Sequence, residues 1–131
     1  MRQLLDTSIC IPIINRDEPA LSKKLLAATP GSVLLCSVVR AELEFGARNS
    51  KRVAINLDRV TRFCTNFESL AFDDDSAKHY GEIRAQLRRE GAPIGANDLM
   101  IAAICVSNNV ALVSRNEREF RRVPGLAIER W

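Results

Sequence analysis

Two short runs without a single polar side chain, Val33-Leu34-Leu35-Cys36 and Val110-Ala111-Leu112-Val113, constrain this chain most. A strand with one wet face alternates polar and apolar residues, so an unbroken run belongs to a strand covered on both faces. Segments of helical spacing stand between these runs, and strands alternating with helices build a parallel sheet. Three more short strands are expected at 2–5, 69–72 and, edge-like, 126–129. Helices are expected at 7–14, from Pro19 to about 28, at 37–47 with Ser37 as its cap, and at 51–66. A long helix opens on Asp73-Asp74-Asp75 and runs to Glu90, its acids set against the positive helix end. Asp98 leads a helix to about 106 that is apolar nearly all round and hence buried, and one helical turn covers 116–120. The expected fold class is α/β: an α/β/α sandwich around a short-stranded, mostly parallel central sheet. With 131 residues, no repeat and no linker, it forms one domain, 1–131.

Several function classes fall away on composition. No apolar run approaches the roughly 18 residues of a membrane span, and Asp6 arrives too early for a signal peptide's apolar region. The expectation is a cytoplasmic chain with no membrane partner. Its net charge of +3 permits an anionic partner without demanding one. Cys10, Cys36, Cys64 and Cys105 form no C-x-x-C pair and sit in apolar settings, as buried thiols do. The only histidine, His79, excludes a two-histidine ribonuclease within one chain and makes a zinc site untenable. A Ser-His-Asp relay would need that same histidine, and neither G-x-S-x-G, a phosphate-binding G-x-x-x-x-G-K-[ST] loop nor G-x-G-x-x-G occurs.

What remains is a set of polar residues placed just after buried strands, where open α/β sheets gather function. Asp6-Thr7-Ser8 ends the first strand, Ser37 and a helix holding Glu42 follow the second, and Ser114-Arg115-Asn116 ends the fourth. Asp98 starts the buried helix before that strand. Asp6 and Asp98 can each be read as simple helix caps. Glu42 lies among Val38, Val39, Ala41, Leu43 and Phe45, so a buried carboxylate is expected there, with Glu44 as the solvated acid of the pair. Carboxylates gathered at one sheet edge repel unless a cation joins them. Oxygen ligands select hard ions, Mg²⁺ or Mn²⁺, which also meet phosphate oxygens.

These residues resemble the PIN-domain ribonucleases of the VapC toxin type. Leu4-Leu5-Asp6-Thr7-Ser8-Ile9 is similar to that family's opening L-L-D-T-N-I, and Ala41-Glu42-Leu43-Glu44-Phe45-Gly46 to its A-E-L-x-x-G helix. Tyr80 through Ala85, Gly91-Ala92-Pro93-Ile94-Gly95, Asn97 through Ala102 and Leu112 through Asn116 follow in the family's order and spacing, as does Phe120 through Leu126. The resemblance implies that Asp6, Glu42 and Asp98 hold the metal. Asn116 stands where a fourth acid is frequent, ligating through its carbonyl or a water, with Glu119 able to supply the missing charge. Ser8 replaces the usual Asn, and Thr7 and Ser114 are implied as supporting hydroxyls.

The resemblance further implies a Mg²⁺-dependent endoribonuclease that leaves a 3′-hydroxyl and a 5′-phosphate, with tRNA among its substrates. It implies a homodimer and a cognate antitoxin protein that covers the site. Arg84, Arg88 and Arg89 on one helix, and Arg115, Arg118, Arg121 and Arg122 near the last turn, are available to hold the RNA backbone. Two other readings compete: a PIN fold that binds RNA or protein with little catalysis, motivated by the uncharged Asn116, and an aspartyl phosphotransferase at Asp6, disfavoured by Ser8 where a second acid is usual.

Overall fold

A computed structural model describes all 131 residues. Five strands form one sheet: β1 (Gln3–Leu5), β2 (Val33–Cys36), β3 (Glu68–Leu70), β4 (Ala111–Val113) and β5 (Ile128–Glu129). Their order is β3-β2-β1-β4-β5, and every neighbouring pair is parallel, so the sheet is wholly rather than mostly parallel. Seven helices fill the connections: α1 (Thr7–Ile14), α2 (Pro19–Ala27), α3 (Ser37–Arg48), α4 (Val53–Cys64), α5 (Asp74–Arg89), α6 (Ala96–Asn108) and α7 (Glu117–Phe120). Parallel pairing requires such crossovers.

The first strand occupies the middle of the sheet. After it the chain builds outward through β2 and β3, then returns to its other side with β4 and β5. Strand order therefore reverses at β1, and a crevice forms outside the carboxyl ends of β1 and β4. Asp6 and Ser114 are the residues that step into it. Successive strand residues point to opposite faces, and Leu4, Leu5, Leu34, Leu35, Leu112 and Val113 are all at most 1% exposed, so both faces are covered. The main core cluster joins these strands to Ile101, Ala102, Ala103 and Ile104 of α6. As expected, α6 is buried nearly all round; it stops at Asn109, whose left-handed φ of 52° closes the helix. All four cysteines are buried free thiols.

Three local expectations need correction. β3 starts one residue earlier and is mostly exposed, because its limits are set by pairing with β2 at one edge of the sheet. Ser37 does not cap α3: its hydroxyl accepts from the Phe72 amide at 3.2 Å, and Cys36 occupies the cap position without a side-chain bond. α6 begins at Ala96 behind Gly95, so Asp98 lies inside the first turn and is no cap. No helix is long and apolar enough to cross a membrane.

Candidate active site

Asp6 leaves β1 as the cap of α1 and is 4% exposed. Both readings of this residue are therefore compatible: its Oδ1 accepts the Thr7 amide at 2.8 Å, and its Oδ2 remains for other partners. That Oδ2 accepts the hydroxyls of Ser8, at 3.1 Å, and of buried Ser114, at 2.6 Å. On one side, Thr7 Oγ1 donates to Glu42 Oε1 at 2.7 Å. On the other, Ser114 Oγ accepts the Asn116 amide at 2.9 Å, and Asn116 Nδ2 donates to Asp98 Oδ2 at 3.0 Å. Glu42, Thr7, Asp6, Ser114, Asn116 and Asp98 thus form one unbroken hydrogen-bonded chain. It draws on the ends of β1 and β4 and on α3 and α6, elements far apart in sequence.

Electrostatics single out Asp98. Burial, the negative charge of Asp6, a hydrogen bond and charge from Glu119, and the charge of Glu42 push its carboxyl up to about 6. A place in the first turn of a helix favours the opposite shift, so burial and the neighbouring acids outweigh the helix dipole. None of Asp6, Glu42, Asp98 and Glu119 is in an ion pair; the six ion pairs of the molecule use other acids. Glu42 is half-buried rather than buried, because α3 leaves its outer face open and Phe45 stands 68% exposed beside it. Glu44 is half-buried too, with one carboxylate oxygen enclosed. Asp6, Glu42 and Asp98, linked by hydroxyls and an amide, together with Glu119, whose charge acts on Asp98, are carboxyls without a basic partner and an oxygen-only donor set suited to a hard divalent cation. No three of them converge on one point as ready-made metal ligands.

The arrangement can be set beside known proteins. The PIN domain family pattern matches residues 4–126. The chain belongs to the PIN domain family. Within it, Ribonuclease VapC2 of Rickettsia felis is 36% identical over 132 residues, spanning 100% of this chain and 98% of the relative. The tRNA(fMet)-specific endonuclease VapC of Shigella flexneri is 37% identical over 131 residues, with the same coverage. In three dimensions the crystal structure of DNA-bound VapBC from Salmonella typhimurium aligns with a TM-score of 0.94 at 35% identity, covering 100% of this chain and 98% of that one. This PIN domain is a VapC-type ribonuclease, and the fold and reaction class expected from the sequence both stand.

Two of the residues expected at the site of this PIN domain are placed otherwise than expected. Asn116 turns its amide nitrogen, not its carbonyl oxygen, toward Asp98. Arg115 is not a free phosphate ligand: Glu18, which the sequence reading did not single out, holds its guanidinium through two hydrogen bonds. The Arg115 amide also donates to Ser8 Oγ at 3.2 Å, tying that loop to the Asp6 cluster. An acid before a proline in a turn carries no sequence signal of such a role. The charge of Glu119 adds to the upward push on the Asp98 carboxyl, and Arg84 donates to Tyr80 Oη at 3.0 Å. His79 is a helix-surface residue whose Nδ1 lies 3.0 Å from the Asp75 carbonyl oxygen.

Proposed function

We propose that Asp6, Glu42 and Asp98 hold a divalent cation, Mg²⁺ with Mn²⁺ as a substitute, and that the chain hydrolyses RNA phosphodiester bonds at that centre. When bound, such an ion lowers the pKa of its water and screens the charge of the attacked phosphate. Asp6 is the anchor, fixed by Thr7, Ser8 and Ser114. Asn116 orients Asp98, and Glu119 supplies the fourth negative charge. The observation that carries this reading is the unbroken chain from Glu42 through Asp6 to Asp98, in which no carboxyl is neutralised by a basic side chain. Outer partners that orient a ligating carboxylate are a regular part of metal centres.

The relatives support a choice of substrate class. A tRNA is the proposed target, since one relative is named for tRNA(fMet) cleavage. Related chains are seen in VapBC assemblies, so a small antitoxin protein is the proposed regulator of this toxin. The proposed working unit is a cytoplasmic homodimer of single-domain chains spanning residues 1–131. The test is cleavage of total tRNA by the purified chain with Mg²⁺, with new ends mapped by sequencing. Wild type should leave 5′-phosphate ends, while folded Asp6→Asn and Asp98→Asn should leave RNA intact. Full cleavage by both variants would refute the assignment.

A further inference from the structure

A second concavity lies beside the acid cluster. It sits between α5 and the loop entering α6, encloses about 350 Å³, and is lined in part by Tyr80, Arg84, Arg88, Pro93, Ile94 and Leu99. That volume is at the small end for ligand pockets. The lining is mostly apolar, and its only charged residues are the two arginines. Neither is in an ion pair, whereas six other arginines of the chain are. Arg84 is preset: it donates to Tyr80 Oη at 3.0 Å, and its guanidinium carbon lies 5.8 Å from the centre of the Tyr80 ring. Phe72 braces that ring edge-on, with centroids 5.9 Å apart. A third unpaired cation stands at the rim, where Arg122 Nη1 donates to the Pro93 carbonyl at 2.9 Å.

An aromatic ring, an apolar floor and unpaired guanidiniums without an acid suit a ligand that is flat and apolar at one end and anionic at the other. A nucleotide of single-stranded RNA has both ends, and such proteins combine base stacking with backbone cations in this way. The position fits as well. Leu99 lines the pocket while the preceding residue, Asp98, joins the acid cluster, so one helical turn of α6 serves both. We propose that this pocket receives a nucleotide flanking the cleaved bond, its base against Tyr80, Pro93 and Ile94 and its phosphate on Arg84 and Arg88. The assignment rests on the acid cluster being the RNA-cleaving centre. It gives the chain a means of choosing where along an RNA the bond is cut.

The test uses the full chain with Mg²⁺, a single-stranded RNA oligonucleotide containing a mapped cut site, and derivatives abasic at each flanking position. For wild type, one abasic position should raise KM about tenfold, the scale of one lost stacking contact. Tyr80→Ala should raise KM on the intact oligonucleotide similarly and become indifferent to that abasic position. Arg84→Ala and Arg88→Ala, which change exposed side chains, should raise KM with kcat largely kept and flatten the salt dependence of binding. Unchanged KM in both arginine variants, or equal sensitivity of wild type and Tyr80→Ala to every abasic position, would overturn the pocket while leaving the cleavage centre standing. Loss of a dimer in the arginine variants, seen by light scattering, with no change in KM for the RNA, would instead make this face a contact between chains. A wild-type chain that cuts no RNA would refute both.

Discussion

At the residue scale, the site depends on small hydroxyls as much as on acids. Ser114 Oγ donates to Asp6 and accepts from Asn116, so a single buried atom links the anchor acid to the partner of Asp98. Ser114→Ala should leave the fold intact and lower kcat about 10- to 100-fold, the usual cost of losing an outer partner of a metal ligand. Circular dichroism and single-turnover cleavage would separate that outcome from unfolding. Legibility at this scale followed the degree of anomaly. Asp6, Glu42 and Asp98 stood out because a carboxyl beside a buried run needs a partner. Glu18 did not, since an acid in an exposed turn is ordinary until Arg115 meets it from the far end of the sequence. Ser37 shows the same limit: a serine ahead of a helix is a cap by local rule, but the Phe72 amide reached its hydroxyl across 35 residues.

At the scale of elements, α6 has two duties that its composition makes compatible. Its first turn carries Asp98, while Ala102 and Ala103, fully buried, let the helix lie close against its neighbours. A larger side chain there must push the helix outward, since cores are close-packed. Ala103→Leu should cost about 1–3 kcal/mol in urea unfolding. It should also reduce cleavage in the fraction that stays folded, because displacing α6 moves Asp98 away from Asp6. Normal activity in a destabilised variant would show that α6 merely fills space. Elements were read well where periodicity or uniform burial is strong, as in β2, β4 and α6. They were read less well at β3, whose exposed Glu68 and Ser69 carry no apolar pattern and whose limits come from register with Leu34 and Leu35.

At the scale of the whole molecule, the acid cluster links proton binding, cation binding and folding. The folded chain holds the Asp98 carboxyl at about 6, against 3.8 for an ordinary aspartate. Between those values the native state binds more protons than the unfolded chain. Without a cation, this stabilising contribution is fully present below the ordinary value and is lost as pH rises through about 6. A divalent cation competes with that proton and, by binding only the folded chain, restores stability at neutral pH by mass action. In EDTA, the Tm of wild type relative to Asp98→Asn should therefore fall between about pH 4 and pH 6 and stay level above that. Added Mg²⁺ should raise the wild-type Tm at about pH 7 and do much less for the variant. The metal-free variant should melt above wild type at neutral pH although it cannot cleave RNA, since removing one of several repelling charges relieves strain that function requires. At limiting Mg²⁺, cleavage by wild type should decline as pH drops through about 6, the protonated acid being a poorer ligand, and excess Mg²⁺ should move that decline to lower pH. Identical pH–Tm curves for the two proteins would break the link and leave Asp98 a passive member of the first turn of α6.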